Sequence, residues 1–280
     1  MRSVVTFTCP DGPGIVHAFT GAVVKADGNI TESQQYSSPD TGRFFMRIEV
    51  DHPSSRADLD AVLALVASRF GGQVISDDAG RPVRTMILAS KAPHCLDALL
   101  SHAHTGALPI TVPLVLANHD ELAPLAGFYN VPFESLAINN SADKAMFEQA
   151  VRDAVKQYDI ELVVLARYMQ VVSPQLCDNL SGRLINIHHS FLPGFKGADP
   201  YGQAHARGVK LIGATAHFVT ADLDEGPIIE QRVAPVTHAR TVRQMREIGG
   251  DIEAITLVHA VKLWAEHRIL LDGVRTVVFD

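Results

Sequence analysis

The fold depends on one stretch, which reads Leu184-Ile185-Asn186-Ile187-His188-His189-Ser190-Phe191-Leu192-Pro193-Gly194. Residues 184–188 have the length and the branched side chains of a β-strand. Successive side chains on a strand point to opposite faces, so Asn186 and His188 share a face. Pro193 and Gly194 follow in a loop that cannot extend the strand. The stretch therefore predicts an amide and an imidazole at the carboxyl edge of a parallel sheet, where open α/β sheets bind ligands.

The chain on either side of this strand predicts the rest of the sheet. The expected elements are strands at 84–89, 111–117 and 162–165 and helices at 93–101, 121–129 and 142–158. Apolar strands that alternate with helices indicate a Rossmann-like open parallel sheet covered on both faces. A further apolar run, 211–219, leads into an Asp- and Gly-rich turn, which is expected to bring Asp224 back over the same edge.

Two features close the predicted α/β part of the chain. Asp199 and Pro200 predict the start of a short helix that ends at Gly208. A long, mostly apolar helix is expected at 252–267, followed by a strand at 276–279.

The amino-terminal part of the chain has a different pattern. The expected elements are strands at 4–8, 29–37, 43–50 and 73–76 and helices at 15–25 and 55–69. The order βαββαβ is ferredoxin-like, and alternation along 43–50 predicts a half-buried sheet. A polar break at 77–82 predicts a boundary between a domain at 1–80 and a domain at 81–280.

Composition narrows the class of protein. The chain has 280 residues, which favours two domains, and 47% of them are hydrophobic, as expected of a folded protein. The formal net charge of −7 argues against nucleic acid as the main partner and favours a small molecule. The three cysteines, Cys9, Cys95 and Cys177, are widely spaced and indicate reduced thiols in a cytoplasmic protein. Neither a targeting segment nor an apolar run of membrane-spanning length is expected.

The polar residues at the sheet edge indicate acyl-group chemistry. Asn186 can donate a hydrogen bond to a developing oxyanion, and His188 can exchange a proton near neutral pH. Asp224 can orient the imidazole or accept a proton. Ser190 lacks the G-x-S-x-G frame of a nucleophile, so the trio fits acyl transfer without a covalent enzyme intermediate.

The amino-terminal domain resembles an ACT domain, a small regulatory module that commonly binds amino acids between two copies. The turn 11–15 and the residues 28–30 carry this resemblance. It implies an amino-acid effector that contacts Asp11, Gly14, Asn29 and Ile30. The same turn could equally well serve only to cap a helix.

The second domain resembles the folate-dependent formyltransferase family, whose signature is Asn-x-His at a strand end and an Asp in a glycine-containing turn. The residues that carry the resemblance are Asn186, Ile187, His188, Ser190, Leu192, Pro193, His217, Val219, Asp224, Gly226, Pro227, Ile228 and Gln231. The resemblance implies that Asn186, His188 and Asp224 are catalytic. It also implies folate contacts from Arg167, Tyr168, Met169, Gln170, Val171, Val172, His189, His217, Val219 and Leu223.

Within this family, the chain resembles members that pass the formyl group of 10-formyltetrahydrofolate to water, releasing formate for purine and one-carbon metabolism. The ACT-like module and His189, where transferases commonly have proline, carry this resemblance. Residues 89–93 also lack the glycine-rich turn that holds a phosphate in a transferase. The implied enzyme is a hydrolase with folate as its substrate, no permanently bound cofactor, no metal and a homo-oligomeric assembly.

Other interpretations remain open. The chain could transfer the formyl group to an amine acceptor, or act only as a regulatory amino-acid sensor. A metal-dependent hydrolase using His188, His217 and Asp224 is a further alternative, although His189 is expected to point away from His188 if the strand continues to residue 189. Taken without the family resemblance, His205, His217 and Lys196 have structural roles more often than catalytic ones.

Overall fold

The structure, a computed structural model, describes residues 1–194 and 200–280. The chain divides into two units, one formed by Met1–Arg81 with Leu263–Asp280 and the other by Pro82–Lys262. The sequence predicts 81–280 as a single domain. The structure differs from that prediction by grouping the last segment of the chain with the amino-terminal unit.

The amino-terminal unit begins with the predicted order of strands and helices. Its first elements are β1 (Arg2–Pro10), α1 (Ile15–Lys25), β2 (Asn29–Ser38), β3 (Arg43–Asp51), α2 (Arg56–Phe70) and β4 (Gln73–Asp78). The four strands form an antiparallel sheet in the order β2-β3-β1-β4. Apolar side chains of α1 and α2 pack with one face of this sheet in a common core that includes Phe7, Phe19 and Leu63.

The second unit contains the predicted alternation of strands and helices. Its elements are β5 (Val83–Ala89), α3 (His94–His104), β6 (Ile110–Ala117), α4 (Ala123–Phe128), β7 (Phe133–Ser135), α5 (Ser141–Gln157), β8 (Leu162–Ala166), α6 (Pro174–Asn179), β9 (Leu184–His188), α7 (Pro200–Arg207), β10 (Leu211–Phe218), β11 (Ile228–Pro235) and α8 (Val242–Ala265).

The sheet of the second unit is mostly parallel. Its strand order is β11-β10-β9-β8-β5-β6-β7, and the strands from β9 to β7 are parallel. Strands β10 and β11 are antiparallel additions at one edge, and β11 was not predicted. Helix α8 begins ten residues before the predicted start at 252 because the residues of its first turns are mainly charged and polar, which hides them from an apolar periodicity.

The carboxyl-terminal segment completes the amino-terminal unit. It forms the hairpin β12 (Ile269–Asp272) and β13 (Arg275–Val278), where the sequence predicts a single strand. Leu270 and Phe279 pack against Phe45 of β3. The prediction that β3 is half-buried is therefore wrong: all of 44–50 is buried, because helices cover one face and this segment covers the other.

Two predictions concern the residues before α7. The expected N-cap residue Asp199 lies outside the described residues, as does Lys196. The helix ends at Arg207, and Gly208 follows it with a φ of 65°. No helix in the described ranges combines the length and apolarity needed to cross a membrane.

Candidate active site

The predicted polar side chains meet at the carboxyl edge of the parallel strands. Strands β8 and β9 are paired neighbours, so the chain leaves the sheet at this edge after each of them. The segment 167–172 follows β8, and His188 is the last residue of β9. A pocket of about 360 Å³ lies here.

Every residue predicted to be catalytic or to bind folate lines this pocket. These residues are Asn186, His188, Asp224, Arg167, Tyr168, Met169, Gln170, Val171, Val172, His189, His217, Val219 and Leu223. Four further residues also line the pocket, namely Leu165, Ile187, Thr220 and Ala221, and of these only Leu165 and Ile187 lie outside the segments expected to contact folate. Leu165 and Ile187 are apolar, so nothing in their chemistry distinguishes them from core residues in the sequence.

Asp224 reaches the pocket from the turn after β10. Its backbone has a φ of 57°, a left-handed conformation that is uncommon outside glycine and is often retained at functional sites. The carboxylate Oδ2 lies 3.3 Å from Nδ1 of His188. The turn therefore places a carboxylate against the imidazole at the end of β9.

His217 connects this carboxylate to the amide of Asn186. Nδ1 of His217 lies 2.8 Å from the carbonyl oxygen of Phe218, so Nδ1 carries the proton. Nε2 of His217 then accepts a hydrogen bond from Nδ2 of Asn186 at 3.2 Å and lies 3.7 Å from Oδ1 of Asp224. His217 thus fixes the orientation of the Asn186 amide, whose second N–H stays available to a ligand.

The electrostatics of the pocket keep Asp224 charged. The hydrogen bond from His188, with a further contribution from the neighbouring His217 ring, lowers the pKa of the Asp224 carboxyl, and together they outweigh its partial burial, which raises it. A carboxylate with a lowered pKa is a weak base. Asp224 is therefore suited to hold His188 and to stabilise positive charge on its ring.

The other nitrogen of His188 is available for chemistry. Nε2 is buried and has no hydrogen-bond partner among residues 1–194 and 200–280. Buried polar groups are nearly always hydrogen-bonded, so an unsatisfied nitrogen that borders a pocket indicates a place for a ligand atom. With Nδ1–H directed at Asp224, neutral His188 presents Nε2 as an acceptor.

His189 does not point away from His188, because the strand on which that expectation depended does not reach residue 189. The two rings are stacked, with centroids 5.0 Å apart and an interplanar angle of 15°. Strand β9 ends at His188, so the alternation of side chains no longer applies to the next residue.

The segment 167–172 is held by buried polar residues that the sequence did not single out. Ser90 Oγ accepts a hydrogen bond from the Met169 backbone N–H at 3.0 Å and donates one to Oδ1 of Asn118 at 2.7 Å. Beyond the segment, the Glu148 carboxylate accepts a hydrogen bond from the Ser173 backbone N–H at 2.8 Å. These buried contacts fix the backbone that borders the pocket.

Within the same segment, two side chains have different surroundings. Tyr168 is buried and stacks on Phe147, with centroids 5.3 Å apart. Met169 is 55% exposed. Tyr168 therefore belongs both to the core and to the pocket wall, whereas Met169 is free to contact a ligand.

A second group of titratable residues lies behind the pocket. His94, Cys95 and Glu253 have donor atoms within 4.8 Å of one another. Burial strongly raises the pKa of the Cys95 thiol, and the Nε atom of Arg167 lies 3.3 Å from the Glu253 carboxylate. A protonated thiol beside a guanidinium is a poor donor set for a cation.

The predicted effector residues lie far apart within one chain. Asp11 follows β1 and its backbone N–H bonds to the Gly42 carbonyl oxygen, and Gly14 is the N-cap residue of α1. Asn29 and Ile30 begin β2. Asn29 pairs with Asp51, which pairs with the first residue of β1. The two pairs of residues are therefore at opposite ends of the sheet, and a single chain does not bring all four together.

Comparisons with known proteins agree with this geometry. Residues 83–261 match the formyl transferase model and residues 3–67 match the ACT domain model. The chain belongs to the formyl transferase family and carries an amino-terminal ACT domain.

Individual members of the family differ in how much of this chain they match. A formyltetrahydrofolate deformylase from Corynebacterium sp. (strain P-1) is 43% identical over 99% of this chain and 98% of its own length. The crystal structure of a formyltetrahydrofolate deformylase from Burkholderia mallei covers 100% of this chain and 99% of its own, with 44% identity and a TM-score of 0.95. A glycinamide ribonucleotide transformylase from Symbiobacterium toebii covers only 71% of this chain, with 31% identity and a TM-score of 0.66.

Proposed function

We propose that this chain hydrolyses 10-formyltetrahydrofolate to tetrahydrofolate and formate. The observation that carries the proposal is the meeting of Asn186, His188 and Asp224 in one pocket, with Nε2 of His188 buried and unsatisfied by the residues described. Full-length similarity to formyltetrahydrofolate deformylases supports the choice of substrate.

His188 is the base in the proposed reaction. Asp224 holds Nδ1–H of the imidazole, which leaves Nε2 to take a proton from a water molecule as it attacks the formyl carbon. The Asp224 carboxylate stabilises the imidazolium that forms. A carboxylate with a lowered pKa has little tendency to take the proton itself, so we assign this step to His188.

Asn186 stabilises the tetrahedral intermediate. Its amide is fixed by His217, so its remaining N–H is directed without reorganisation at the moment when the formyl oxygen becomes negative. The imidazolium of His188 then returns a proton to the folate nitrogen, which is a poor leaving group until it is protonated. The carbon–nitrogen bond breaks, and tetrahydrofolate and formate are released.

The folate ring is assigned to the pocket bounded by 167–172 and 219–224. Ser90 and Glu148 hold the first of these segments by accepting hydrogen bonds from the backbone N–H groups of Met169 and Ser173. Exposed Met169 and Leu223 provide apolar contact area at the opening. We infer that no permanently bound cofactor takes part, since the three catalytic side chains supply a base, an oxyanion donor and a charged partner.

Transfer to an amine acceptor is the alternative activity. The turn after β5, residues 89–93, has no glycine to bring backbone amides close to a phosphate. The Ser90 hydroxyl in this turn is buried and already bonded to Met169 and Asn118. These features disfavour a phosphate-bearing acceptor and favour water.

One assay separates these functions. The protein is incubated with 10-formyltetrahydrofolate in buffer without any acceptor, and formate is measured. Hydrolysis predicts sustained formate release, a transferase releases product only when an amine is added, and a purely regulatory protein turns over nothing. An Asp222→Asn variant should match the unmodified protein, because Asp222 is exposed in the same turn and does not line the pocket.

The ACT domain is assigned a regulatory role with an amino-acid effector. Asp11 and Gly14 are separated from Asn29 and Ile30 by the length of β1, so an effector that contacts all four requires two copies of the chain. We therefore infer a homo-oligomer. Calorimetric titration with each of the common amino acids, combined with light scattering, tests both parts of this inference.

We infer that the protein acts in the cytoplasm and supplies formate. Cys9, Cys95 and Cys177 are free thiols buried in their units, which supports action in the reducing cytoplasm. The formate released there would be available to purine and one-carbon metabolism. Growth dependence on formate in a strain lacking the gene tests this role.

A further inference from the structure

A second pocket adjoins the folate pocket and shares two residues with it. This second pocket has a volume of about 460 Å³. Arg167 and His189 line both pockets, whereas His94, Pro200, Tyr201, Arg246 and Glu253 line the second and not the folate pocket. Arg167 and His189 therefore separate the space assigned to folate from a second, polar space.

Arg167 is held in place by two contacts and by an unusual backbone. Its Nε lies 3.3 Å from Oε2 of Glu253, and its Nη1 donates to Nδ1 of His189. Its φ is 60°, a conformation that favours glycine. Arginine adopts this conformation uncommonly, and such residues are often found at functional sites.

His189 is fixed as a neutral ring by this arginine. A guanidinium has only donors, so Nδ1 of His189 must be the acceptor of that hydrogen bond. The ring stacks on catalytic His188 at 5.0 Å and lies 6.3 Å from the ring of Tyr201. His189 therefore occupies the space beside the reacting imidazole on the side of the second pocket.

Glu253 anchors this arrangement from helix α8. The carboxylate is buried and accepts hydrogen bonds from the Tyr201 hydroxyl at 2.6 Å and from Nε2 of His94 at 2.8 Å. Burial alone would raise the pKa of Glu253. The hydrogen bond from His94, the charge of Arg167 and the hydrogen bond from Tyr201 outweigh burial, so the pKa is lowered. The carboxylate is thus ionised, and Arg167 neutralises it.

We propose that Arg167 and His189, anchored by Glu253, form an acceptor barrier that keeps amines from the formyl carbon and leaves the reaction to water. The proposal rests on the hydrolytic function inferred above. His189 lines the second pocket and stacks on His188. Arg167 lines both pockets and neutralises the Glu253 carboxylate, which would otherwise attract an ammonium group. The acceptor barrier determines that water, and not an amine, receives the formyl group.

The acceptor barrier can be removed with little disturbance to the backbone. Arg167→Gly places glycine at a φ that glycine readily adopts, and Glu253 keeps its bonds to Tyr201 and His94. A primary amine then gains access, and its nitrogen bonds to the formyl carbon and loses one proton. The bond to the folate nitrogen breaks and that nitrogen takes up one proton, so no other co-reactant is needed.

The test measures how the formyl group divides between water and an amine. The full-length protein, Arg167→Gly and His189→Ala are incubated with 10-formyltetrahydrofolate and glycinamide, and mass spectrometry gives the ratio of N-formylglycinamide to formate. We expect this ratio to rise about 10- to 200-fold in Arg167→Gly, the range in which a changed pocket alters substrate choice. Asn130→Gly is the matched control, since Asn130 is exposed, has a φ of 57° and lines neither pocket.

A second variant examines the role of Glu253. Adding Glu253→Gln to Arg167→Gly removes the carboxylate that attracts the ammonium, so the concentration of glycinamide needed for half-maximal transfer should rise. If circular dichroism shows Arg167→Gly to be unfolded, the ratio in His189→Ala decides.

Each remaining outcome has one meaning. An unchanged ratio in folded variants that still release formate overturns the acceptor barrier, and so does a folded variant that forms neither product. Transfer by the unmodified protein that yields more N-formylglycinamide than formate also overturns it. Failure of the unmodified protein to release formate without an acceptor contradicts the proposed function instead.

Discussion

Nδ1 of His188 and Oδ2 of Asp224 lie 3.3 Å apart, although the two residues come from a strand end and from a turn that is separated from it by a further strand. This pair defines which nitrogen of the imidazole faces the pocket. It also places a permanent negative charge beside a ring that must become positive during the reaction.

Asp224→Asn removes that charge while preserving the shape of the side chain. We expect turnover to fall by about 100- to 10,000-fold, the usual contribution of a positioned acid–base group, with little change in the KM for folate. Steady-state formate release checks this, and Asp222→Asn is the control. An Asp224→Asn variant with more than half of the original turnover would remove Asp224 from the proposed mechanism.

The buried hydroxyl of Ser90 offers a separate test of the folate pocket. Ser90→Ala leaves the Met169 backbone N–H and the Asn118 side-chain Oδ1 without their hydrogen-bond partner. When such groups stay buried, this lowers the free energy of unfolding by about 1–3 kcal/mol. The segment 167–172 loosens as a result, so the KM for folate should rise about tenfold or more while kcat changes less. Initial-rate measurements over a range of folate concentrations separate the two parameters.

Ser181→Ala is the control for this change because Ser181 is exposed in a turn outside the pocket. If Ser90→Ala has an unaltered KM, the hydrogen bond to Met169 does not support folate binding. If kcat alone falls, Ser90 acts on the chemical step instead.

The course of β9 and the position of Asp224 could be predicted because strong local signals fix them. Alternation on a short strand places Asn186 and His188 on one face, and a turn rich in Asp and Gly reverses the chain. The order of the amino-terminal elements and the alternation of strands and helices after residue 82 have equally local causes. These parts of the fold agree with the sequence predictions, and the ACT and formyl transferase models match the same regions.

Other features depend on contacts between residues far apart in the chain. His189 stacks on His188 because the strand ends there, and Arg167 reaches Glu253 on a helix that follows much later. The buried face of β3 that contains Phe45 is covered by a hairpin more than two hundred residues away. Periodicity and propensity describe only residues that are close in the sequence, and they carry no information about contacts between distant ones. The sequence therefore predicts neither the acceptor barrier nor the covering of β3.

Gly226 tests the turn that carries Asp224. A Cβ atom added to Gly226 would lie 1.8 Å from the backbone oxygen of Phe218, so the turn must open to accommodate alanine. We expect Gly226→Ala to destabilise the protein by about 1–3 kcal/mol and to reduce formate release by displacing Asp224. Thermal unfolding and turnover are measured together.

Gly127→Ala provides the comparison, because nothing lies within 4 Å of the added Cβ and Gly127 is in helix α4. It should raise stability by about 0.5–1 kcal/mol, with normal turnover. Equal effects of the two substitutions would show that the close approach to Phe218 does not constrain the turn.

His267 gives the amino-terminal unit a pH-dependent stability. Burial lowers the pKa of its imidazole, and Arg47 and Arg81 act in the same direction, while the hydrogen-bonded carboxylate of Asp77 at 3.3 Å only partly offsets them. The pKa in the folded chain is therefore below the unfolded value of about 6.5. As the pH falls below that value, the unfolded chain binds a proton before the folded chain does, so stability is lost.

His267→Gln removes this proton uptake and keeps a donor for Asp77. We expect the free energy of unfolding of the unmodified protein to fall more steeply between about pH 7.5 and about pH 5.5 than that of His267→Gln, as measured by urea denaturation. His17→Gln, which changes an exposed histidine of the same unit, should retain the steep dependence. Identical slopes for the unmodified protein and His267→Gln would mean that His267 gains its proton equally readily in both states, contrary to its burial between Asp77 and the two arginines.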